Sequence, residues 1–357
     1  MYTPLLLAKP ISSLNGEIMT EPNQAPPAHM GILQILVGAH VAGAVTCLAQ
    51  MGIPDLVENG PKSAEELAQQ IGANPEAVYR LLRATACVGV LAEGPDGRFS
   101  QTPMSALLCT NARPSLRGLA TMSGREWHHR GWSLLERSVR TGKPVVEEIY
   151  GMPIFEYFSR NPVEAQIFDD AMTGLSAIDS PAVADAYKFN GIKTIVDVAG
   201  GRGVLLATLL ERYPHLQGTL YEMPHVLEGA KSGALKPHMD RCTLASGDMF
   251  TSVPAGADAY IMKHIIHDWP DEACIRILKA CRQGVKPGGK LLVVDCVIHP
   301  GTNFDPAKFQ DLQMLLFPSG LERTEAQFRE LFAASGWKLS RIIPTAAMDS
   351  IVEGVLA

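Results

Sequence analysis

One polar segment in the second half of the chain contains side chains that can move protons. Lys263-His-Ile-Ile-His-Asp-Trp-Pro follows a β-branched run and contains His264 and His267. Imidazole has the ordinary pKa closest to neutrality, so a histidine here suits proton abstraction from a hydroxyl. His264, His267 and Asp268 are alternatively metal ligands, but no further cluster has metal-site spacing, so we expect no metal. A structural histidine is the third interpretation.

A glycine-rich segment lies earlier, between a predicted strand and a predicted helix. In Asp197-Val-Ala-Gly-Gly-Arg-Gly, the glycines allow a tight turn and a close approach of the backbone to a ligand. A dinucleotide fingerprint would need another glycine where Leu206 stands, which disfavours phosphate binding. The segment therefore predicts a nucleotide-type loop without a pyrophosphate site.

Three further side chains lie where predicted strands end. Glu222, 25 residues beyond Asp197, is placed to accept hydrogen bonds from a ribose diol, although a solvated strand-end carboxylate is the alternative. Asp248, within Gly247-Asp-Met-Phe, could accept from an adenine amino group while Met249 packs on the ring. Together with the loop, these residues predict a nucleoside-like ligand.

The periodicity from residue 192 onward predicts an α/β domain. Helices are expected near 204–212, 271–283 and 325–335, strands begin near 194, 218, 242, 258 and 290, and runs at 337–343 and 348–356 could form a hairpin. This alternation predicts a doubly wound, mostly parallel sheet with its ligand site at the carboxyl ends of the strands.

The N-terminal part has the order of a winged helix. A capping-box spacing at Ser63 and a second start at Asn74 open two helices, and a hairpin follows around Gly94-Pro-Asp-Gly. DNA binding is disfavoured, because the second helix offers only Arg80 and Arg83 and the net charge is −6 without a block of like charges. We expect this module to pack or to dimerise.

The segment from Gly31 to Met51 is almost free of charge and long enough to cross a bilayer. Polar residues and glycines interrupt it, so we predict a helix covered by protein, most simply by a partner subunit. The expected domains are a mobile leader (1–28), a winged-helix-like dimerisation domain (29–110), a helical linker that lines a pocket (111–190) and a catalytic domain (191–357).

Composition excludes several other protein classes. The 357 residues are 46% hydrophobic and 19% charged, which is typical of a globular protein and not of a disordered or fibrous one. Seven cysteines without a Cys-x-x-Cys pair, and a start without a secretory signal, indicate buried thiols in the cytoplasm.

The motifs together resemble one family, the S-adenosylmethionine-dependent O-methyltransferases of the caffeic acid, hydroxyindole and polyketide-tailoring type. Five segments occur in that family's order and spacing: the glycine loop, 221–226, 247–250, 263–269 and 321–324. The resemblance covers residue 29 to the end. It implies a Rossmann-like class I methyltransferase domain, S-adenosyl-L-methionine as cofactor, a homodimer, and a small hydroxylated aromatic or polyketide-like secondary metabolite as substrate, without nucleic acid or membrane partners.

The resemblance also implies roles for individual residues. His267 would be the general base, with Asp295 and Glu322 beside it. The implied cofactor-binding residues are Ala199, Gly200, Gly201, Gly203, Glu222, Asp248, Met249 and Lys263. The implied substrate contacts are Met172, Trp269 and Met314.

Two positions depart from the family pattern. Ala199 stands where the family usually has glycine, which is a mild change unless the backbone there needs a positive φ. Asp295 is one methylene shorter than the glutamate of plant relatives.

Two alternative functions remain at this stage. A family-like fold could use the cofactor for a non-methylating reaction on a natural product, since a fold does not determine a function. The presence of His267 weighs against this alternative. A non-catalytic regulatory module is the other alternative, and only the winged-helix order favours it.

Overall fold

The computed structural model describes residues 27–357, apart from the side chain of His225. The predicted leader therefore lies outside the described residues, except for its last two positions. The chain divides into two compact units, one ending at Gly124 and the other formed by Arg125–Ala357.

The N-terminal unit is mainly helical and contains one short hairpin. Its elements are α1 (Ala28–Gln50), α2 (Ile53–Leu56), α3 (Ala64–Ile71), α4 (Pro75–Cys87), β1 (Leu91–Glu93), β2 (Phe99–Gln101), α5 (Pro103–Ala106) and α6 (Arg117–Ser123). The predicted order of helix, helix and hairpin is present as α3, α4 and β1–β2. The unit extends beyond the expected boundary at residue 110, because α6 packs against α1.

Local interactions explain where α3 and α4 begin. The predicted capping box is formed, since the Glu66 N–H donates to Ser63 Oγ at 3.2 Å and the Ser63 N–H donates to the Glu66 carboxylate at 2.7 Å. The Asn74 side chain accepts from the Ala77 N–H at 3.0 Å. Gly72, in the left-handed region at φ 65°, ends α3.

Helix α1 is long and apolar enough to cross a membrane by its length and composition. Most of its apolar side chains are exposed within this unit, for example Ile35 at 68% and Leu36 at 61%. The N-terminal unit by itself therefore does not supply the cover that the sequence leads us to expect.

The C-terminal unit begins with five helices, α7 (Glu126–Ser133), α8 (Leu135–Thr141), α9 (Val145–Tyr150), α10 (Ile154–Arg160) and α11 (Pro162–Ala186). They confirm the helical pattern read from the sequence. The structure does not separate them as an independent linker, because α11 packs on α12 (Val204–Arg212) of the sheet domain.

The rest of this unit is the predicted α/β sheet. Its seven strands are β3 (Thr194–Val198), β4 (Gln217–Glu222), β5 (Cys242–Ser246), β6 (Ala257–Lys263), β7 (Val285–Asp295), β10 (Trp337–Pro344) and β11 (Ser350–Leu356). Their order is β10-β11-β7-β6-β3-β4-β5; β11 pairs antiparallel with β10 and β7, and the other pairs are parallel. The doubly wound, mostly parallel fold is confirmed.

Helices α14 (Asp271–Gly284) and α16 (Glu325–Ala334) match the prediction. The sequence analysis missed the helices α13 (Pro224–Ser232) and α15 (Ala307–Leu316) and the two-residue strands β8 (Val297–Ile298) and β9 (Arg323–Thr324). Both missed helices are short, and neither has a side-chain cap.

Strand β3 lies between β4 and β6, so the chain order reverses there. In such sheets a crevice opens at the carboxyl ends of the strands beside the reversal. The strands around this point end at Val198, Glu222, Lys263 and Asp295. The topology therefore brings the chemically interesting segments of the sequence to one edge of the sheet.

Candidate active site

The glycine loop connects β3 to α12. Gly201 and Gly203 have positive φ values of 58° and 75°. At Gly200 a Cβ atom would lie 2.3 Å from Asp197 Oδ2, so the loop can fold over this carboxylate only with glycine there. A Cβ at Gly201 would meet no atom within 4 Å, so the loop leaves space on that side.

Ala199 adopts φ 54°, the left-handed conformation that the sequence analysis identified as unfavourable for alanine. Such a conformation costs a residue with a Cβ about 1 to 2 kcal/mol. The Ala199 N–H donates to the Tyr221 carbonyl at 2.8 Å, which ties the start of the loop to β4. The change from glycine is therefore a strained one.

Two carboxylates border the loop. Asp197 is 1% exposed, and among residues 27–357 neither of its oxygens has a hydrogen-bond partner. Burial raises the pKa of Asp197 to about 7, and the nearby charge of Glu222 adds to the shift. Glu222 accepts from the Gly201 N–H at 3.0 Å and the Met223 N–H at 2.7 Å. The chain thus places acceptor oxygens, and no phosphate-type cationic cradle, at the ends of β3 and β4.

Asp248 and Met249 follow β5, at the same edge of the sheet. Asp248 is exposed, and its carboxylate accepts from the Phe250 N–H at 2.9 Å, which shapes the turn. Met249 is half-buried against the core that covers one face of the sheet.

At the end of β6, the ammonium of Lys263 lies among buried polar groups. Lys263 Nζ is 3.1 Å from His264 Nδ1 and 3.9 Å from a carboxylate oxygen of Asp179. His264 Nε2 is 2.8 Å from Asp349, so both of its ring nitrogens are engaged. His264 is therefore a poor candidate for the base.

Asp179, His264 and Asp349 offer ligand atoms within 4.8 Å of one another, which is compatible with a metal ion by distance. The ammonium of Lys263 already provides a positive charge between two of these groups. Two of the three potential ligands therefore already have a cationic neighbour.

His267 lies in the turn after β6 and is 6% exposed. Its Nδ1 is 2.7 Å from Glu322 Oε1, so Nδ1 carries the proton and donates to this carboxylate. Nε2 lies 3.6 Å from Asp268 Oδ1, beyond good hydrogen-bond distance. His267 is thus oriented like a base, with Nδ1 fixed by a carboxylate and Nε2 able to accept a proton when the ring is neutral.

Asp295 does not hold the His267 ring by a hydrogen bond. Its nearest oxygen is 3.9 Å from Nδ1, and within the described chain neither carboxyl oxygen has a hydrogen-bond partner. The aspartate side chain is one methylene shorter than the glutamate of plant relatives, and it does not reach the ring.

The charges around His267 favour its protonated form. Burial lowers the pKa of His267, but the negative charges of Asp295 and Asp268 outweigh burial and hold the pKa above its usual range. Burial raises the pKa of Asp295 well above that of an ordinary aspartate.

A buried arginine fixes the turn that carries His267. Arg323, 1% exposed, donates to the carbonyls of Ile266 at 2.9 Å and Trp269 at 3.0 Å and pairs with Asp271 at 2.7 Å. Gly320 packs so closely on the same turn that a Cβ there would lie 1.8 Å from the His267 carbonyl oxygen. Arg323 and Gly320 together bring Glu322 against the His267 ring.

We expect Arg323→Met to lower the free energy of unfolding by about 2 to 4 kcal/mol, because two carbonyls would lose their charged donor and keep only the weak thiol donor of Cys274 and one long backbone contact. Urea denaturation followed by circular dichroism measures the change. Arg329→Met is the matched control, because its ion pair with Glu325 is exposed on α16 and should contribute below about 0.5 kcal/mol. Equal effects for the two variants would show that the contacts of Arg323 with the turn carrying His267 do not stabilise the fold.

Aromatic rings from the helices and from the sheet domain form a continuous set, which we call the aromatic wall. Trp269 stacks on Phe155, with ring centres 5.7 Å apart. Phe158 contacts Trp127, with ring centres 5.1 Å apart. The aromatic wall comprises Trp127, Phe155, Phe158, Phe168, Trp269 and Phe317.

The expected substrate residues lie in three different parts of the chain. Trp269 precedes α14 and belongs to the aromatic wall, Met172 is half-buried on α11, and Met314 is 5% exposed on α15. Next to Met314, Gln313 lies 3.2 Å from the ring of His128, which stacks on Phe317.

The sequence analysis missed four residues of this region: Asp179, Gly320, Arg323 and Asp349. Arg323 and Gly320 stand within or beside the recognised 321–324 segment, so their position could have identified them. Asp179 and Asp349 lie far from any motif, and only the fold brings them to Lys263 and His264.

Comparison with known proteins gives two family matches. A model of an O-methyltransferase domain matches residues 132–338, and a model of an O-methyltransferase dimerisation domain matches residues 33–111. The phenazine O-methyltransferase of Lysobacter antibioticus is 38% identical over 94% of this chain and 99% of its own length. The mitomycin biosynthesis 6-O-methyltransferase of Streptomyces lavendulae is 37% identical over 88% of this chain and 90% of its own.

The fold agrees with a solved structure from the same group. CalO1, a methyltransferase of calicheamicin biosynthesis in its S-adenosylhomocysteine-bound form, superposes with a TM-score of 0.79 at 30% identity. The match covers 92% of this chain and 98% of CalO1.

Proposed function

Because this chain belongs to the S-adenosylmethionine-dependent O-methyltransferases of secondary metabolism, we propose that it methylates a hydroxyl of a planar aromatic metabolite with His267 as base. The observation that carries the assignment is the 2.7 Å contact of Nδ1 with Glu322, which directs Nε2 to the acceptor. The resemblance read from the five sequence segments is confirmed at the level of the family.

The residues at the carboxyl edge fit S-adenosylmethionine. When bound, this cofactor supplies a methyl group on a positively charged sulfur. Asp197, whose carboxylate has no hydrogen-bond partner among residues 27–357, suits a cationic ligand. Glu222, which accepts from the Gly201 N–H, suits a ribose diol, and the glycines let the backbone approach the ligand. Lys263, Asp248 and Met249 complete the proposed site.

His267 performs the proton transfer in this mechanism. Nε2 would accept the hydroxyl proton, and the oxygen would take the methyl group that bound S-adenosylmethionine supplies, with S-adenosylhomocysteine as the leaving group. Glu322 stabilises the resulting imidazolium through Nδ1, and the carboxyl groups of Asp295 and Asp268 also lie within 4 Å of the ring nitrogens. The neighbouring carboxylates raise the pKa of His267, which makes the neutral ring a stronger proton acceptor.

Three members of the aromatic wall, Phe155, Phe168 and Trp269, are not fully buried. Such rings support a planar aromatic acceptor, because aromatic rings stack in offset or edge-to-face geometry. The two relatives named above act, by their names, on a phenazine and in mitomycin biosynthesis. A planar phenol with one ring or several fused rings would fit both the aromatic wall and the kinds of substrate in these relatives' names.

Radiolabelled S-adenosylmethionine, supplied with phenolic, hydroxyphenazine and polyketide acceptors and their amino analogues, tests the function. We expect an O-methyl product with at least one hydroxyl compound, identified by mass analysis. Methylation of the amino analogues alone, or conversion of acceptors without transfer of label, would contradict the proposal.

We also propose a homodimer held by α1. The dimerisation-domain match covers most of this helix, whose exposed apolar face needs a cover in water. Such an assembly is consistent with a cytoplasmic enzyme.

We expect light scattering at micromolar concentration to give twice the chain mass of 38.5 kDa. Leu36→Glu, at a position 61% exposed within the N-terminal unit, should shift the protein towards monomer. Val139→Glu is the matched control, because Val139 is 64% exposed on α8. A well-folded wild-type monomer, or partition of the wild type into phospholipid vesicles, would refute the dimer.

A further inference from the structure

His264 is a second buried histidine beside the proposed base, and the mechanism above does not use it. Its ring lies parallel to that of His267, with centres 5.2 Å apart and an interplanar angle of 12°. Its backbone adopts φ 57° and its N–H donates to the Val294 carbonyl at 3.0 Å. Residues held in this strained conformation are enriched at functional sites.

The two ring nitrogens of His264 have different partners. Asp349, 2% exposed, places both carboxylate oxygens within 2.9 Å of Nε2. A carboxylate only accepts hydrogen bonds, so Nε2 must carry the proton. Nδ1 is then an unprotonated acceptor, as the ammonium of Lys263 at 3.1 Å requires.

The contact with His264 Nδ1 fixes the position of the Lys263 ammonium. Its side chain is 6% exposed, so water contributes little to its position. Asp179 is 3.9 Å away on α11, and Lys263 is close enough to Asp197 to lower the pKa of that carboxylate. Asp197 precedes the glycine loop, so Lys263 extends towards the cofactor end of the crevice.

We propose that Asp349 fixes the tautomer of His264, and that His264 thereby holds the ammonium of Lys263 towards the cofactor. The inference rests on the proposed function, because it assumes that the cofactor binds along this edge. Asp349 and His264 act as positioning residues, comparable to the carboxylates that orient histidine ligands in metal sites.

His264 carries no proton on Nδ1 at neutral pH. Burial and the charge of Lys263 lower the pKa of His264 to about 4. The ring that stacks on His267 is therefore neutral and adds no positive charge beside the base.

Calorimetry with S-adenosylhomocysteine and ¹⁵N NMR of the histidine rings test the proposal. We expect His264 in the wild type to be the Nε2–H tautomer. Asp349→Asn should give a mixture of tautomers and about tenfold weaker binding, because the amide can donate as well as accept. His264→Phe, which keeps the ring and removes both nitrogens, should weaken binding similarly.

Asp258→Asn is the matched control. Asp258 lies at the other end of β6, where it accepts from Thr194 and pairs with Lys286, so its loss should leave binding unchanged. An Nδ1–H tautomer in the wild type, or binding by Asp349→Asn within twofold of wild type, would overturn the proposal. Neither readout involves methyl transfer, so a wrong base or acceptor would appear in the activity assays alone.

Discussion

Replacing His267 with alanine should reduce turnover by roughly 10²- to 10⁴-fold, the usual contribution of a positioned general base. Cofactor binding and the dimer should stay nearly intact, because the proposed role of His267 belongs to the methyl-transfer step. Initial rates with saturating S-adenosylmethionine and the identified acceptor measure the loss. His215→Ala is the control, since this exposed histidine precedes β4 at the opposite edge of the sheet.

The pH dependence provides a second check on the same residue. The carboxylates around His267 raise its pKa, so the ring is protonated in the free enzyme at neutral pH and cannot accept. We therefore expect kcat/KM to rise with pH. Glu322→Gln removes a negative charge, lowers the pKa of His267 and should move this rise to lower pH.

An acidic phenol needs less help from a base, so the comparison must extend to a pH below the acceptor's own pKa. Full activity of His267→Ala across that range would exclude His267 as the base. Alignment of an already ionised acceptor would then account for the reaction.

Replacing Glu222 with alanine should weaken the binding of S-adenosylmethionine by about 10²-fold or more. Each charge-assisted hydrogen bond to the ribose contributes about 1.5 to 3 kcal/mol at most, and a diol can donate two. The same carboxylate accepts from the Gly201 N–H, so its loss also frees the glycine loop. Calorimetry with S-adenosylmethionine and S-adenosylhomocysteine measures both affinities.

Glu228→Ala is the control for this change, because Glu228 pairs with Lys231 on the exposed side of α13. Glu222→Gln, which keeps the shape and loses the charge, should lie between alanine and wild type. Unchanged affinity in Glu222→Ala would remove this residue from the cofactor site.

Local signals in the sequence were sufficient for most of the fold. The alternation of β-branched runs and helical periods from residue 192 predicted the strands of the sheet and three of its helices, because burial on both faces demands apolar runs. Capping residues such as Ser63 and Asn74 marked helix starts with a short-range hydrogen bond. Helix α13 was missed, since its buried apolar side chains, Leu227 and Ala230, give too short a helical period to recognise.

Some residues of the candidate site could likewise be predicted from the sequence, and others only from the tertiary structure. The sequence by itself predicted the glycine loop, Glu222 as a ligand residue and a histidine as the proposed base, because these depend on residue type and on distance from a strand end. It also identified Glu322 by resemblance, as part of a short segment with regular spacing.

Tertiary structure decided which histidine is available and what surrounds it. His264 and His267 are equivalent by residue type, yet Asp349, 85 residues away, engages one ring and Glu322, 55 residues away, orients the other. Asp295 lies 3.9 Å from His267 Nδ1 without a hydrogen bond; its shorter side chain raised this question in the sequence, and the packing answered it. Such contacts depend on how β7, β11 and the turn after β6 pack together, and hydrogen bonding and pKa shifts both change steeply with distance.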